Sequence, residues 1–443
     1  MTRVLVVAAD VVGERMAGPG IRAWEMARAL AARHQVTLAA PTPVPAAAAG
    51  FRILEAARAA LREAAAESQV VIAQPVAFSL FPALLESEAL KVVDVYDPAL
   101  IEGLELHATE SPPERLARHR EDLASLEVAM QAGDFFLCAS ERQRNYWIGV
   151  LSALGRVNPV TYGADATLRN LLAVVPFGIP DEAPVPGRMR LRDAEAIRPD
   201  DPVAIWAGGI WNWFDPETLV RGAARAVGDL PTLRLVFMGA GHPNPSVSRP
   251  AAAEAASRLA RELGLEGKHI FFRRGWVPYA ERGSMLLEAD AGVVLHRETV
   301  ESGLALRTRV LDHLWAGLPS IVTAGDAMAD LVEAEHLGVV VAAADAEAVA
   351  AALVKVLGDK NFAERCRKSV RRVAPRYRWS RVLEPVAAFC DHPIPAADRE
   401  LLGKSTGPAS QGLPVGRAWH SLRRDGPSQF ARRAYRYLRR RAG

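Results

Sequence analysis

The sequence predicts an α/β protein of two doubly wound parallel-sheet domains facing a central cleft, with a basic helix at the C-terminus. Three observations carry this reading. Short β-branched runs alternate with Ala- and Leu-rich stretches, the pattern of parallel strands joined by crossover helices. The alternation breaks at a Pro-rich segment, residues 180–186, and then restarts, so there are two sets of strands. At about 100 to 200 residues per domain, a chain of 443 residues that is 50% hydrophobic has material for two cores.

The first set places strands at residues 4–8, 36–39, 70–73, 90–96, 135–139 and 172–175, each a brief run rich in Val, Leu, Ile or Phe. The second places them at 203–207, 233–239, 269–272, 292–295, 320–323 and 339–341. The chain therefore divides into an N-terminal domain (1–180), a C-terminal domain (181–390), and a linker and tail (391–443), with residues 402–416 rich in Gly, Ser and Pro. Such sheets bind ligands beyond the carboxyl ends of their strands, so the strand-to-helix turns are where chemistry is expected.

Composition narrows the class. Charged residues make up 24%, as in ordinary globular chains, and no apolar run approaches the about 20 residues that cross a bilayer. The apolar run after Arg3 is too short for a signal peptide and reads as a first buried strand. Cys138, Cys366 and Cys390 form no C-x-x-C pair, and the ten histidines show no metal-ligand spacing. Those features fit a cytoplasmic protein with no metal site. The net charge of +3 hides an asymmetry, because residues 414–443 hold nine Arg and one Asp.

Three turns are candidates. The first strand leads into Gly18-Pro19-Gly20 and a helical stretch whose apolar positions Ile21, Trp24, Ala27 and Leu30 share one face. Glycines let backbone approach a ligand, although an ordinary strand-to-helix turn reads the same way. The second set opens with Gly208-Gly209-Ile210-Trp211-Asn212-Trp213-Phe214-Asp215-Pro216. Trp211 and Trp213 could stack on a base or sugar ring, or pack between the two halves. The third turn, densest in charge, runs from His296 through Glu301, Arg307, Thr308, Arg309 and Asp312 to Gly317-Leu318-Pro319. Arginines suit a phosphate, Asp312 could accept from ribose, and Glu301 could face a sugar. An Arg309–Asp312 ion pair at i,i+3 is the alternative. Asp97, in Asp94-Val95-Tyr96-Asp97-Pro98, is a candidate polar group at a strand end, or simply a turn-former before proline.

Through these residues, together with Val175-Pro176-Phe177-Gly178-Ile179-Pro180 and Trp315-Ala316-Gly317-Leu318-Pro319, the sequence resembles the GT-B glycosyltransferases, and specifically glycosyltransferase family 4. The resemblance covers roughly residues 1–390. It implies two Rossmann-like domains, with a nucleotide-sugar donor held by the C-terminal one as co-substrate and no separate cofactor. It also implies a saccharide or lipid-linked acceptor on the N-terminal domain, and retention at the anomeric carbon without a metal. Carried onto this sequence, it makes Glu301, Asp97 and His296 catalytic candidates. The donor set is Gly208, Gly209, Trp211, Trp213, Glu301, Arg307, Thr308, Arg309 and Asp312, and the acceptor-side loop is Gly18, Pro19 and Gly20. Two departures stand out. The family's Glu, seven residues, Glu becomes Glu301, ten residues, Asp312, or Glu298 with thirteen between. The basic pair expected after Gly208-Gly209 is replaced by Trp-Asn-Trp-Phe-Asp.

In the tail, Phe430, Ala431, Ala434, Tyr435, Tyr437 and Leu438 fall on one arc of a helix and Arg432, Arg433, Arg436, Arg439 and Arg440 on the other. Residues 417–441 thus suit an anionic membrane surface, placing the protein peripherally on the inner membrane face. Nothing in the sequence resembles a nucleic-acid recognition fold. The sequence reading is a hexosyltransferase of cell-surface polysaccharide or glycoconjugate assembly. A non-catalytic sugar-binding or scaffolding protein of the same fold, and a sugar-nucleotide epimerase, are the alternatives.

Overall fold

The computed structural model describes residues 1–41, 50–194, 197–239, 251–273 and 275–402. The predicted linker and basic helix of the tail lie outside the described residues beyond Leu402. Among the described residues two compact units are present, one within residues 1–176 and 382–402, the other within residues 177–381.

The first unit carries a seven-stranded sheet: β1 (Arg3–Val7), β2 (Gln35–Ala40), β3 (Arg52–Glu55), β4 (Val70–Ala73), β5 (Leu90–Asp94), β6 (Phe135–Cys138) and β7 (Leu172–Val174). All pairings are parallel, in the order β3-β2-β1-β4-β5-β6-β7. The central strands are apolar on both faces because helices cover both, and their core includes Leu5, Phe78, Val93, Met130, Phe136 and Trp147. Six of the seven strands match those predicted. β3 was not predicted, since Arg-Ile-Leu-Glu is an edge strand with charged ends and no β-branched run.

The second unit carries β8 (Val203–Ala207), β9 (Arg234–Met238), β10 (Ile270–Phe272), β11 (Ala291–Val294), β12 (Ser320–Thr323) and β13 (Gly338–Val341). Their order is β10-β9-β8-β11-β12-β13, again all parallel. All six were predicted to within a residue or two. In both sheets the order reverses beside the first strand, between β1 and β4 and between β8 and β11. Those reversals leave a crevice at the carboxyl ends of the strands, the ligand position of doubly wound sheets.

The limits of the compact units differ from the expected domain boundaries at both ends. Phe177 already belongs to the second unit, where its ring meets Trp379 at 4.8 Å. Ile179 exchanges backbone hydrogen bonds of 2.8 and 2.9 Å with Tyr377 and Trp379. At the other end, residues 382–390 were assigned to the C-terminal domain and 391–402 to a linker, yet both stretches pack on the first unit. The helix Glu384–Asp391 stacks Phe389 on Phe135 at 4.8 Å, and Cys390 O accepts from Thr2 Oγ1 at 2.6 Å. Asp398 then receives Nε and Nη2 of the fully buried Arg156 at 2.9 and 3.1 Å. Partners 242 residues apart leave no local signature in a sequence.

Candidate functional site

In the first unit, the turn after β1 enters the helix Gly18–Ala31, so Gly18, Pro19 and Gly20 form its first turn rather than a free loop. A side chain at Gly20 would run into the carbonyl of Val11, so this glycine serves close packing. The buried face is not the predicted 21, 24, 27 and 30. Ala23, Met26, Ala27 and Leu30 are buried, and so is Arg22, while Ile21 and Trp24 are half-exposed. Arg22 binds Asp94 through two hydrogen bonds of 2.6 and 2.9 Å and donates to the carbonyls of Val175 and Pro176 at 3.0 Å each. Its guanidinium lies 4.5 Å from the ring centre of Tyr96, whose hydroxyl is pushed well up by burial. A cleft at the β1–β4 reversal is lined by Ala8, Pro19, Arg22, Gln74, Asp94 and Tyr96. Asp97, the predicted polar group, is half-buried beside it and does not line the cleft; Asp94 does. The signal available for Arg22 was an arginine inside an apolar helical face.

In the second unit, the turns after β8, β11 and β12 are bonded to one another. Asp215 N donates to Leu295 O at 3.0 Å, Arg297 N donates to Trp213 O at 3.1 Å, and Phe214 pairs with His296 as an antiparallel bridge. The predicted Gly208–Asp215 and His296–Arg309 segments therefore meet at the β8–β11 reversal. Gly208 has φ +112°, a conformation that requires glycine, and a Cβ there would make a tight contact of 3.3 Å with Arg309 Nε. Trp211 and Trp213 stack on each other at 5.6 Å, and Trp213 is buried against Phe214. Asp215 caps the following helix Pro216–Ala226 by accepting from Thr218 N at 3.1 Å.

The charged residues are arranged differently from the prediction. Glu301, expected to face a sugar, is 4% exposed and takes Nη1 and Nη2 of Arg307 at 3.1 and 2.7 Å. Arg307, expected on a diphosphate, is 5% exposed and committed to that carboxylate. His296 is also buried, with Nε2 3.0 Å from Asp326 Oδ2 and Nδ1 3.0 Å from Arg297 O, so neither nitrogen is free to move a proton to a substrate. Arg309 donates Nε to Ala207 O at 2.8 Å and Nη2 to Gly209 O, with its plane 4.1 Å from the centre of Phe214. Burial, and then the charge of Arg307, pull its guanidinium below the usual range. Asp312 does not pair with Arg309. It lies 3.5 Å from Arg282, which is held between Tyr279 and Trp315, and burial raises its carboxyl pKa against those cations. Thr308 opens the helix Thr308–Ala316, whose first turn has no side-chain cap. Arg297 and Glu298 are the charged groups of this edge that are exposed.

Asp326 was not predicted. A Gly-Asp pair just ahead of an apolar helix is an N-cap signal, but nothing local announces its contacts with His296 and Arg307. Among the described residues, no three His, Cys, Asp or Glu side chains are grouped to hold a metal ion, and no helix is long and apolar enough to cross a membrane.

Two all-parallel, doubly wound units, the second with Gly-rich and Arg-bearing turns at its reversal, make this a GT-B fold. Residues 201–359, within the second unit, match the family model described as "Glycosyl transferases group 1". Over 83 residues, 18% of the chain, the sequence is 37% identical to "Probable sucrose-phosphate synthase 5" of Oryza sativa subsp. japonica, a match spanning 8% of that relative's length. Among solved structures, the sucrose-phosphate synthase of Thermosynechococcus elongatus is similar over 91% of this chain and 100% of its own, with TM-score 0.60 and 16% identity. HepE from Anabaena, solved with UDP and glucose, is similar over 88% of this chain and 100% of its own, with TM-score 0.64 and 12% identity. WaaG, a glycosyltransferase involved in lipopolysaccharide biosynthesis, is similar over the same two shares, with TM-score 0.60 and 16% identity.

Proposed function

We propose that this chain is a retaining, metal-independent glycosyltransferase of family 4, moving a sugar from a nucleotide-sugar donor to a hydroxyl of a saccharide or lipid-linked acceptor in cell-surface glycan assembly. The observation that carries the proposal is the convergence of the Gly208–Asp215 and His296–Arg309 turns at the β8–β11 reversal, inside the segment that matches the group 1 transferases. The complexes of HepE with UDP and with UDP-glucose support a uridine nucleotide as the first donor to try.

Transfer needs a stabilised departing diphosphate and a stabilised oxocarbenium-like sugar. In this reading the diphosphate meets the uncapped first turn of Thr308–Ala316 and the guanidinium of Arg309, whose Nη1 makes no hydrogen bond among the described residues. The solvent-exposed Glu298 takes the sugar-orienting role expected of Glu301, because Glu301 is spent on Arg307. Retention leaves the departing phosphate to take the acceptor proton, so no buried protein base is required. The acceptor is assigned to the first unit, with the Arg22–Asp94–Tyr96 cleft as its polar wall. The arginines of residues 417–441 are proposed to hold the protein on an anionic membrane surface. A chain ending at residue 410 that bound anionic vesicles at low salt as well as the full chain does would refute this.

A thermal-shift series with UDP, UDP-glucose and other nucleotide sugars tests the donor reading, since a ligand of the native state raises apparent stability. Selective stabilisation by one base and its sugar conjugates, followed by sugar release with an acceptor present, is expected. Stabilisation by sugars but by no nucleotide would favour a non-catalytic binding protein.

A further inference from the structure

The turn after β12 places Asp326 at the start of the helix Ala327–Ala334, where it is 1% exposed. Its Oδ1 accepts the amides of Met328 and Ala329 at 2.7 and 2.8 Å, an ordinary N-cap. Its Oδ2 faces away from the cap, 3.0 Å from His296 Nε2 and 3.8 Å from Arg307 Nε. That Arg307 nitrogen has no hydrogen bond, while Nη1 and Nη2 are taken by Glu301. One carboxylate thus joins a cap, an imidazole and a guanidinium.

The carbonyl of Arg297 can only accept, so His296 Nδ1 donates to it. Oδ1 of Asp326 accepts two amides, and with Oδ2 ionised His296 Nε2 donates to it as well. In that state His296 carries hydrogens on both ring nitrogens, and the group balances two cations, His296 and Arg307, against two anions, Asp326 and Glu301, all four buried. Balance matters because an unpaired charge in such a place is far more costly than a paired one.

The network reaches the donor turns. The backbone N–H of His296 donates to Thr323 Oγ1 at 3.1 Å, His296 bridges Phe214, and its neighbour Arg297 holds Trp213. We infer that Asp326 is a positioning residue for the donor subsite, setting the Gly208–Asp215 turn through His296 and the Glu301–Arg307 segment through Arg307. The inference rests on the reading of this edge as the donor subsite, and its substrate class is a nucleoside diphosphate sugar.

The variant Asp326→Asn tests it, because Asn keeps an oxygen for the helix cap and removes only the charge. In the wild type, imidazole nitrogen resonances assigned with His296→Gln should show hydrogens on both ring nitrogens. In Asp326→Asn one is lost, and the indole N–H signals of Trp211 and Trp213 shift while the fold is retained. UDP titrated into both proteins should bind more weakly to the variant. A singly protonated His296 in the wild type overturns the inference, as do unchanged indole signals or equal UDP affinity. Should the wild type not bind UDP, the donor reading fails separately and the imidazole and indole signals decide the role of Asp326. Should Asp326→Asn fail to fold, His296→Gln is titrated instead, and wild-type UDP affinity in that folded variant overturns the inference.

Discussion

Glu301 and Arg307 bind each other through two parallel hydrogen bonds of 3.1 and 2.7 Å, and neither is open to solvent. Removing one member of a buried pair strands the other's charge, so Arg307→Ala should lower unfolding stability by about 3–5 kcal/mol. A double replacement by apolar residues of similar volume should cost less than either single truncation. Urea unfolding of the two single variants and the double variant reads the coupling directly, and additive losses would show that the pair is not a unit.

Gly208 offers a separate prediction, since its φ of +112° strains any other residue and a Cβ would press on Arg309 Nε at 3.3 Å. Gly208→Ala forces either the backbone or the arginine to move, a strain of about 1–3 kcal/mol. The displaced guanidinium should also lose its bond to Ala207 O, so nucleotide affinity falls with stability. Paired melting and UDP titration check this; a stable variant with unchanged binding would remove Gly208 and Arg309 from the donor site.

The pH dependence centres on His313, buried in the second unit with Nδ1 3.0 Å from Ser320 Oγ. Burial, and then the charge of Arg309, depress its pKa from 6.5 to about 3. A group depressed in the folded state contributes stability above its unfolded pKa and loses it as pH falls toward the folded one. The wild type should therefore lose about 1.4 kcal/mol per pH unit through this residue below 6.5. Denaturant unfolding at a series of pH values should show a shallower acid slope for His313→Gln; equal slopes would mean that the imidazole is already charged in the fold.

What the sequence made legible follows from the range of each interaction. Twelve of the thirteen strands show as apolar runs because central parallel strands are buried on both faces, whereas the edge strand β3 is not. Gly208-Gly209 and the segment from His296 to Asp312 stand out in the sequence because turns at strand ends carry local chemistry. The partners were not. Glu301 with Arg307 is a six-residue separation, but His296 with Asp326 spans 30 and Arg22 with Asp94 spans 72. Composition places a charge on an element, and only the fold decides whether another charge already occupies it.

A pairing across 242 residues carries the last prediction. Asp398 accepts from Arg156 Nε and Nη2 and from Asn158 Nδ2 at 3.0 Å, and Arg156 also donates to the carbonyls of Met130, Gln131 and Gly133. The first unit is thus completed by a segment arriving from residue 382 onward. Asp398→Ala leaves the guanidinium of Arg156 buried without its anion, which should cost about 3–5 kcal/mol. Asp398→Asn keeps an acceptor and should cost less. Because the loss falls in one unit, hydrogen exchange should quicken in β6 and in the helix Pro112–Ala132 while β8 to β13 keep their protection. Uniform loss of protection across both units would instead mean that the two unfold as one cooperative body.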